Sequence, residues 1–463
     1  MKRAIILLAT IFCITNLQSQ DITGKWNGIL KVQGMQLTIV FNIEKNESEY
    51  FSTMDSPDQG AFGIKVDKTS FSDNTLRLSI PSAGIEYSGE FLGDKILGTF
   101  KQFSFETELN LTKDIIEVQK PNRPQEPQPP FPYISEDVYF KNTKDNITLA
   151  GTLTIPGDKG NYPAVVLITG SGPQNRDEEV FGHKPFLVIS DYLTRNGIAV
   201  LRFDDRGVAK SEGNFSDATS YDFATDAKSA VDYLKTRKEI NKNNIGLVGH
   251  SEGGIIAPIV ASKYPNDISF IVLLAGTGLR GDNILLMQQE LIGRAMGMPE
   301  DVILRNKEIN QKAFEMVINS SDIDALRNEM LEYVMNNIKN DPSQVPQGMP
   351  AEDFAEMQVN QVTTTWMVNF IKLDPAVYLE KVKCRVLAVN GELDLQVPAD
   401  ANLFAIKNAL KKGGNENVTI IAYPNLNHLF QRCTSGLPDK YIEIEETFSV
   451  DVLKDLANWI LKK

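Results

Sequence analysis

The sequence predicts two folds in one chain: a small all-β domain, then a doubly wound α/β domain with a mostly parallel sheet and a helical cap. Three observations carry that prediction. From about Asp21 to Lys113, apolar and polar residues alternate with period two, the spacing of strands with one buried face. After a proline-rich stretch, near-continuous apolar runs such as "YPAVVLITG", "IAVLRFDD", "FIVLLAG" and "VTIIAYP" alternate with helical stretches. Strands apolar on both faces and interleaved with helices belong to a parallel sheet covered on both sides. One long helical insertion, from about Gly281 to Met367, interrupts this second series.

Bulk properties agree. A hydrophobic content of 42% is that of a globular protein with a sizeable core. The formal net charge of −13 offers no basic face to nucleic acid or to an anionic membrane.

Residues 1–20 predict a secretory signal peptide. Lys2 and Arg3 precede an apolar run from Ala4 to about Ile14, and a short polar stretch leads to small Ser19. The run is too short for a permanent anchor. Bulky Ile11 and Phe12 before Cys13 argue against a lipoprotein site. The expected mature protein starts near Ser19 or Gln20 and is exported, periplasmic or secreted. Cys384 and Cys433 are expected at opposite ends of the sheet. A strand spans roughly 20 Å and a disulfide needs Cα atoms within about 7 Å, so both are expected as free thiols.

Residues 21–115 form the all-β domain. Runs such as "LTIVFNIEK", "TLRLSI", "IEYSGEF" and "KILGTF" are separated by Gly, Asn, Asp, Ser and Pro, which predicts a small antiparallel barrel or sandwich. The opening "GKWNGIL" resembles the G-x-W start of lipocalin-like barrels. Such a module holds an apolar ligand, recruits substrate, or serves as a packing and spacer domain. Residues 116–133 follow as a linker: "PNRPQEPQPPFP" carries six prolines and favours extended, semi-rigid backbone.

The α/β domain spans 134–463. Its cap, at about 281–367, reads as helices over "NILLMQQELIGRAM", "PEDVILRNKEINQKAFEMVI" and "DIDALRNEMLEYVMNNI". Nine of the chain's 12 methionines lie here. Flexible and polarizable, they suit either the lining of an accommodating pocket or the filling of core gaps.

The chemistry starts at "GLVGHSEGGII", residues 246–256, which contains G-x-S-x-G around Ser251. The preceding residues predict a strand and the following ones a helix, so Ser251 falls at a tight strand-to-helix turn. Glycines there let strand and helix approach. The helix N-terminus and the Glu252 backbone N–H face charge developing on a substrate. A serine needs a base within hydrogen-bonding reach, and the chain has only three histidines. His250 sits beside Ser251 with its side chain turned away, and His183 lies early in the domain. His428, in "YPNLNHLF" just past the last strand, is the candidate base. The group that orients it should lie in the turn of "VLAVNGELDLQVPAD", where Asp394 ranks ahead of Glu392. The order Ser251, Asp394, His428 is the one expected for this fold. In "LITGSGPQNRDEE" the glycines around Ser171 let backbone approach a ligand. The N–H groups of Ser171 and Glu252 are the candidate oxyanion hole.

From about Ile134 onward the chain resembles an α/β-hydrolase-fold serine hydrolase of the exported bacterial esterase and serine-aminopeptidase-like kind. The matching pieces are "GSGPQNRDE", "RFDDRGVAKSEG", "GLVGHSEGG", "VNGELDLQVP" and "NLNHLF". Thr169 stands where a histidine is common, and Ala209 where a glycine is common. The resemblance implies hydrolysis of a small-molecule ester, thioester or peptide-like substrate through an acyl-enzyme, with no metal and no cofactor. A carboxylesterase for small or medium acyl esters is the first expectation. An aminopeptidase or dipeptidyl-peptidase-like peptidase is the alternative, with Glu329, Glu332 and Glu352 as candidate anchors for a substrate ammonium. A ligand-capturing scaffold would have lacked part of the Ser–Asp–His set.

Overall fold

The structure, a computed structural model, describes residues 21–32, 35–46, 49–57, 61–102, 105–114, 122–346 and 349–462. The expected signal peptide and the start of the linker lie outside these residues. The chain divides into two compact units, with the boundary between Gln119 and Lys120.

The first unit is one antiparallel sheet of ten strands: β1 (Gly24–Val32), β2 (Met35–Asn46), β3 (Glu49–Ser56), β4 (Ala61–Lys65), β5 (Lys68–Ser72), β6 (Thr75–Ile80), β7 (Ile85–Phe91), β8 (Lys95–Gln102), β9 (Phe105–Glu108) and β10 (Leu111–Thr112). The hydrogen-bonded path runs β4-β3-β2-β1-β10-β8-β7-β6-β5, with β9 paired to β8. Strands adjacent in sequence, β4 and β5, thus end the path. The sheet curls until Ser52 Oγ on β3 meets Thr69 Oγ1 on β5 at 2.7 Å. Strict alternation along β7, buried at every second residue from Ile85 to Phe91, gives the sheet its inner face. Trp26 is fully buried there, donates Nε1–H to the Ile22 carbonyl at 2.8 Å and meets Phe91 edge-on. A tryptophan buries roughly 200 Å2, about 5 kcal/mol of transfer free energy. Trp26, Phe41, Tyr87 and Phe100 fill the interior.

The second unit carries an eight-stranded sheet: β11 (Ile134–Asn142), β12 (Ile147–Ile155), β13 (Tyr162–Ile168), β14 (Ala199–Phe203), β15 (Ile240–His250), β16 (Phe270–Leu274), β17 (Arg385–Gly391) and β18 (Val418–Tyr423). Its order is β11-β12-β14-β13-β15-β16-β17-β18. The leading hairpin β11–β12 and the β12–β14 pair are antiparallel, and every later pair is parallel. On β13 the side chains of Ala164, Val166 and Ile168 join one core and those of Val165 and Leu167 the other. That two-sided burial is why the strand reads as an unbroken apolar run. Helices α1 (Pro185–Arg195) and α11 (Val450–Leu461) pack on one face. Helices α2 (Ser220–Thr236), α3 (Gly253–Lys263) and α10 (Ala399–Lys412) pack on the other. This is an α/β-hydrolase fold.

Between β16 and β17 the cap supplies α4 (Gly281–Ala295), α5 (Glu300–Asn319), α6 (Ile323–Asn340), α7 (Ala351–Val362) and α8 (Thr365–Lys372), ahead of the short α9 (Ala376–Leu379). The first three match the predicted helices. α7 and α8 were not read as separate helices because the proline-broken segment 341–350 and the pair Thr363–Thr364 interrupt the apolar period. Thr364 caps α8 by accepting the Met367 N–H at 3.1 Å.

The later part of the proline-rich stretch belongs to the second unit. Arg123 donates to the carbonyls of Ile442 and Ile444 at 2.8 and 2.7 Å, and Gln125 Oε1 accepts the Thr447 N–H at 2.6 Å. From Asn122 on, this segment is a strap on the α/β body rather than a free spacer. Cys384 and Cys433 are free thiols.

Candidate active site

Four chain segments reach the carboxyl edge of the parallel sheet side by side: the loop after β13, the turn after β15, the turn after β17 and the loop after β18. This edge is where open α/β sheets place their ligands.

Ser251 occupies the turn between β15 and α3 with φ of +51°, a left-handed conformation that is strained for a side-chain-bearing residue. The turn forms because the flanking glycines have no Cβ. A Cβ on Gly249 would lie 1.9 Å from the Gly253 carbonyl oxygen, and one on Gly253 would lie 2.2 Å from that of Ile168. The Ser251 N–H is held by the Leu274 carbonyl at 2.9 Å, which leaves the side chain facing a cavity of about 290 Å3.

His428 faces the same cavity, and its Nδ1 is 2.7 Å from Asp394 Oδ2. Asp394 is buried, and its other oxygen accepts the backbone N–H groups of Gln396 and Val397, both at 2.8 Å. Glu392, its rival in the same turn, is exposed, as is Asp400. Turn and loop come together because a Cβ on Gly391 would sit 2.2 Å from the Leu426 carbonyl oxygen, so only glycine fits there. The structure therefore brings Ser251 and His428 to one cavity, with Asp394 buried behind the His428 ring. No Ser251–His428 hydrogen bond is formed among the described residues.

The two candidate oxyanion residues flank Ser251. Ser171 is an exposed loop residue, and Glu252 is the N-cap of α3. Neither backbone N–H is hydrogen-bonded within the described residues, whereas the Gly170 N–H is already committed to Glu178 Oε1 at 2.8 Å. The Glu252 side chain was not foreseen. Its buried carboxylate accepts the Ser220 hydroxyl at 2.6 Å and the Trp366 indole N–H at 2.9 Å. Burial raises its pKa, against hydrogen bonds from Ser220, Trp366 and Ser171 that lower it. One carboxyl thus ties the Ser251 turn to α2, to the Ser171 loop and to the cap.

The Thr169 and Ala209 departures have structural accounts. Thr169 donates its hydroxyl to Asp205 at 2.8 Å, at the start of the loop that carries Ser171. Burial pushes the Asp205 carboxyl up to about 8. Ala209 sits at φ of +46°, a conformation suited to the glycine often found there.

Sequence reasoning missed Glu178, which is buried in the loop after β13 and hydrogen-bonded to His250 Nδ1 at 2.9 Å. No local signal could have found it, since 72 residues separate the partners. His183 is buried away from the cavity, with its ring nitrogens near Thr447 Oγ1 and the Tyr441 carbonyl. Burial lowers its pKa to about 4. The cap lends the cavity Ile284, Leu285, Gln288, Trp366 and Phe370, and among the described residues no methionine lines it. Met330 instead is buried in the cap's own core. Met316 and Met367 pack against that core, so gap-filling accounts for these three, whereas Met296 and Met298 are exposed. Glu329, Glu332 and Glu352, the candidate ammonium anchors of the peptidase alternative, do not line the cavity. Among the described residues no cluster of His, Cys, Asp and Glu is arranged to hold a metal ion, and no helix is long and apolar enough to cross a membrane.

Residues 186–432, more than half of the chain, match the sequence model of the family described as serine aminopeptidase, S33. The chain belongs to this family. It is 25% identical over 316 residues to esterase EstD of Thermotoga maritima, a match covering 68% of this chain and 66% of that protein. It is 25% identical over 163 residues to a proline iminopeptidase of Chitinophaga pinensis, covering 34% and 52%. The match thus spans just under two thirds of the esterase's length. Among solved structures, Est1E of Butyrivibrio proteoclasticus, bound to ferulic acid, aligns with a TM-score of 0.40 at 19% identity, over 70% of this chain and 98% of that one. With a family model named for a peptidase and a relative named an esterase, the cavity has to decide the substrate.

Proposed function

We propose that this protein is a serine hydrolase, a carboxylesterase that cleaves small or medium acyl esters through an acyl-enzyme on Ser251. The observation that carries the reading is the His428–Asp394 contact at 2.7 Å, set in the same cavity as a serine in a left-handed turn. Asp394 accepts Nδ1–H, so His428 Nε2 presents a lone pair as general base. Ser251 Oγ attacks the ester carbonyl and its proton passes to Nε2. The tetrahedral oxyanion is met by the N–H groups of Ser171 and Glu252, and one such donor is worth about 100-fold or more in rate. Collapse transfers the proton from Nε2 to the leaving alkoxide. Water, deprotonated by the same nitrogen, then releases the acid and restores Ser251.

The cavity volume supports a modest substrate. About 290 Å3 lies at the small end for ligand pockets. Apolar Ile284, Leu285, Trp366 and Phe370 suit an acyl chain. The absence of Glu329, Glu332 and Glu352 from the lining weakens the peptidase alternative, although the family name keeps it worth an assay. The proposal extends to export of the mature chain, supported by the signal-peptide pattern over residues 1–20.

The test is hydrolysis of p-nitrophenyl esters from acetate to dodecanoate by the wild type and Ser251→Ala, with aminoacyl anilides alongside. The expected result is turnover of the shorter esters, lost by orders of magnitude in the variant. Anilide turnover exceeding ester turnover would overturn the esterase assignment in favour of a peptidase. Retention of the amino-terminal 20 residues in protein recovered from the extracytoplasmic fraction would refute the cleavage.

A further inference from the structure

His250 fills the variable second position of G-x-S-x-G, where the motif demands no chemistry. Yet both its ring nitrogens are engaged in the interior. Nε2 lies 3.0 Å from the backbone carbonyl of His428, and a carbonyl only accepts, so Nε2 carries a proton. Nδ1 lies 2.9 Å from Glu178 Oε1. That same oxygen accepts the Gly170 N–H at 2.8 Å, the role of a carboxylate oxygen, and a carboxylate facing Nδ1 calls for a proton on Nδ1 as well.

We infer that His250, as an imidazolium paired with the Glu178 carboxylate, is a positioning residue that fixes the backbone of His428 on one side of the nucleophile and the oxyanion loop on the other. The inference rests on the proposed role of Ser251. Three segments distant in sequence meet at this pair: the loop after β13 through Gly170, the nucleophile turn through His250, and the base loop through His428. Its reach to the chemistry is short. A Cβ on Gly170 would lie 3.2 Å from Ser251 Cβ and 3.6 Å from His250 Nδ1, so a shift of Gly170 displaces the neighbouring Ser171 N–H relative to a bound acyl group. On the other side the His250 and His428 rings lie 4.8 Å apart, and the pair grips His428 through its backbone carbonyl.

The environment agrees with a charged pair. Glu178 holds a left-handed φ of +51°, strain that persists where surrounding contacts enforce it. Both side chains are buried, and an unpaired buried charge would be costly. Burial alone would lower the His250 pKa, but the facing Glu178 carboxylate, its hydrogen bond, the His428 carbonyl and the more distant Asp394 raise it overall.

The experiment joins kinetics to spectroscopy on the full chain. With only three histidines present, 15N-histidine labelling gives a spectrum in which His250→Gln assigns the His250 signals. In the wild type at pH 7, both His250 ring nitrogens should be protonated. Glu178→Gln keeps an acceptor oxygen for Gly170 while removing the charge. It should lower kcat on p-nitrophenyl butyrate by about 10- to 100-fold, the cost of a small misplacement of reacting groups, with KM changing less than about threefold. A neutral His250 ring in the wild type, or a kcat within twofold of wild type in folded Glu178→Gln, would overturn the inference. If Glu178→Gln fails to fold, the wild-type spectrum still decides the charge state. Full activity in Ser251→Ala would instead overturn the assignment of the nucleophile, so the two failures are separable.

Discussion

Replacing Asp394 by asparagine tests the base assignment through a tautomer. In the wild type, Oδ1 is pinned by the N–H groups of Gln396 and Val397 at 2.8 Å each, and Oδ2 faces His428 Nδ1 at 2.7 Å. An asparagine side chain has one oxygen, and two backbone donors already claim its place. The amide NH2 therefore points at His428, Nδ1 becomes the acceptor, and the ring proton moves to Nε2. A ring protonated at Nε2 offers no lone pair to Ser251. The side chain keeps its volume and every one of these contacts keeps a donor and an acceptor, so stability should change little. Activity should not survive: reversing this tautomer costs about 10,000-fold in kcat, or about 5 kcal/mol of barrier. The assay is steady-state hydrolysis of p-nitrophenyl butyrate beside a thermal melt. A melt near that of the wild type with kcat reduced less than tenfold would refute the reasoning, and Glu392→Gln should leave kcat unchanged.

Three further outcomes follow from particular residues. Ala209→Gly relieves a left-handed alanine at about 1 kcal/mol but adds freedom to the unfolded chain, so a gain of roughly 0.5 kcal/mol should appear in the urea midpoint. Trp366→Phe removes one donor from buried Glu252 while retaining the stacked contact with Phe370. It should cost about 1 kcal/mol and, because Trp366 lines the cavity, raise KM roughly fivefold, as steady-state kinetics would reveal. His183, held near 4 by burial, binds its proton more weakly folded than unfolded. Its contribution is therefore intact above about pH 6.5 and is lost as pH falls toward 4. Relative to His183→Gln, the wild type should lose about 3 kcal/mol over that window in urea unfolding at stepped pH.

Much of the sheet was legible because burial on both faces leaves a direct trace, as in "YPAVVLI", and because alternation in "IEYSGEF" leaves the other. Ser251 was legible because a strand, a tight turn and a helix are each local. His428 emerged from scarcity among three histidines. Asp394 ranks ahead of Glu392 by its place in the turn, while the burial that separates them depends on contacts distant in the chain. Only the approach of the Gly391 turn to the Leu426 backbone makes one buried and the other exposed. Glu178 and the double engagement of His250 were illegible, because each depends on contacts between segments far apart in the chain. The cap's last helices were obscured for another reason: α8 spans only eight residues, too short for its period to stand out.

The strand order carries a consequence for how such chains are delimited. The family's characteristic sequence runs over 186–432, yet β13 ends at Ile168 and is inserted between β14 and β15. α11, which covers one face of the sheet, begins at Val450. A fragment trimmed to the recognisable stretch would lack a central plank of its own sheet and the cover over one side. The stretch that names the family is here smaller than the sheet it belongs to.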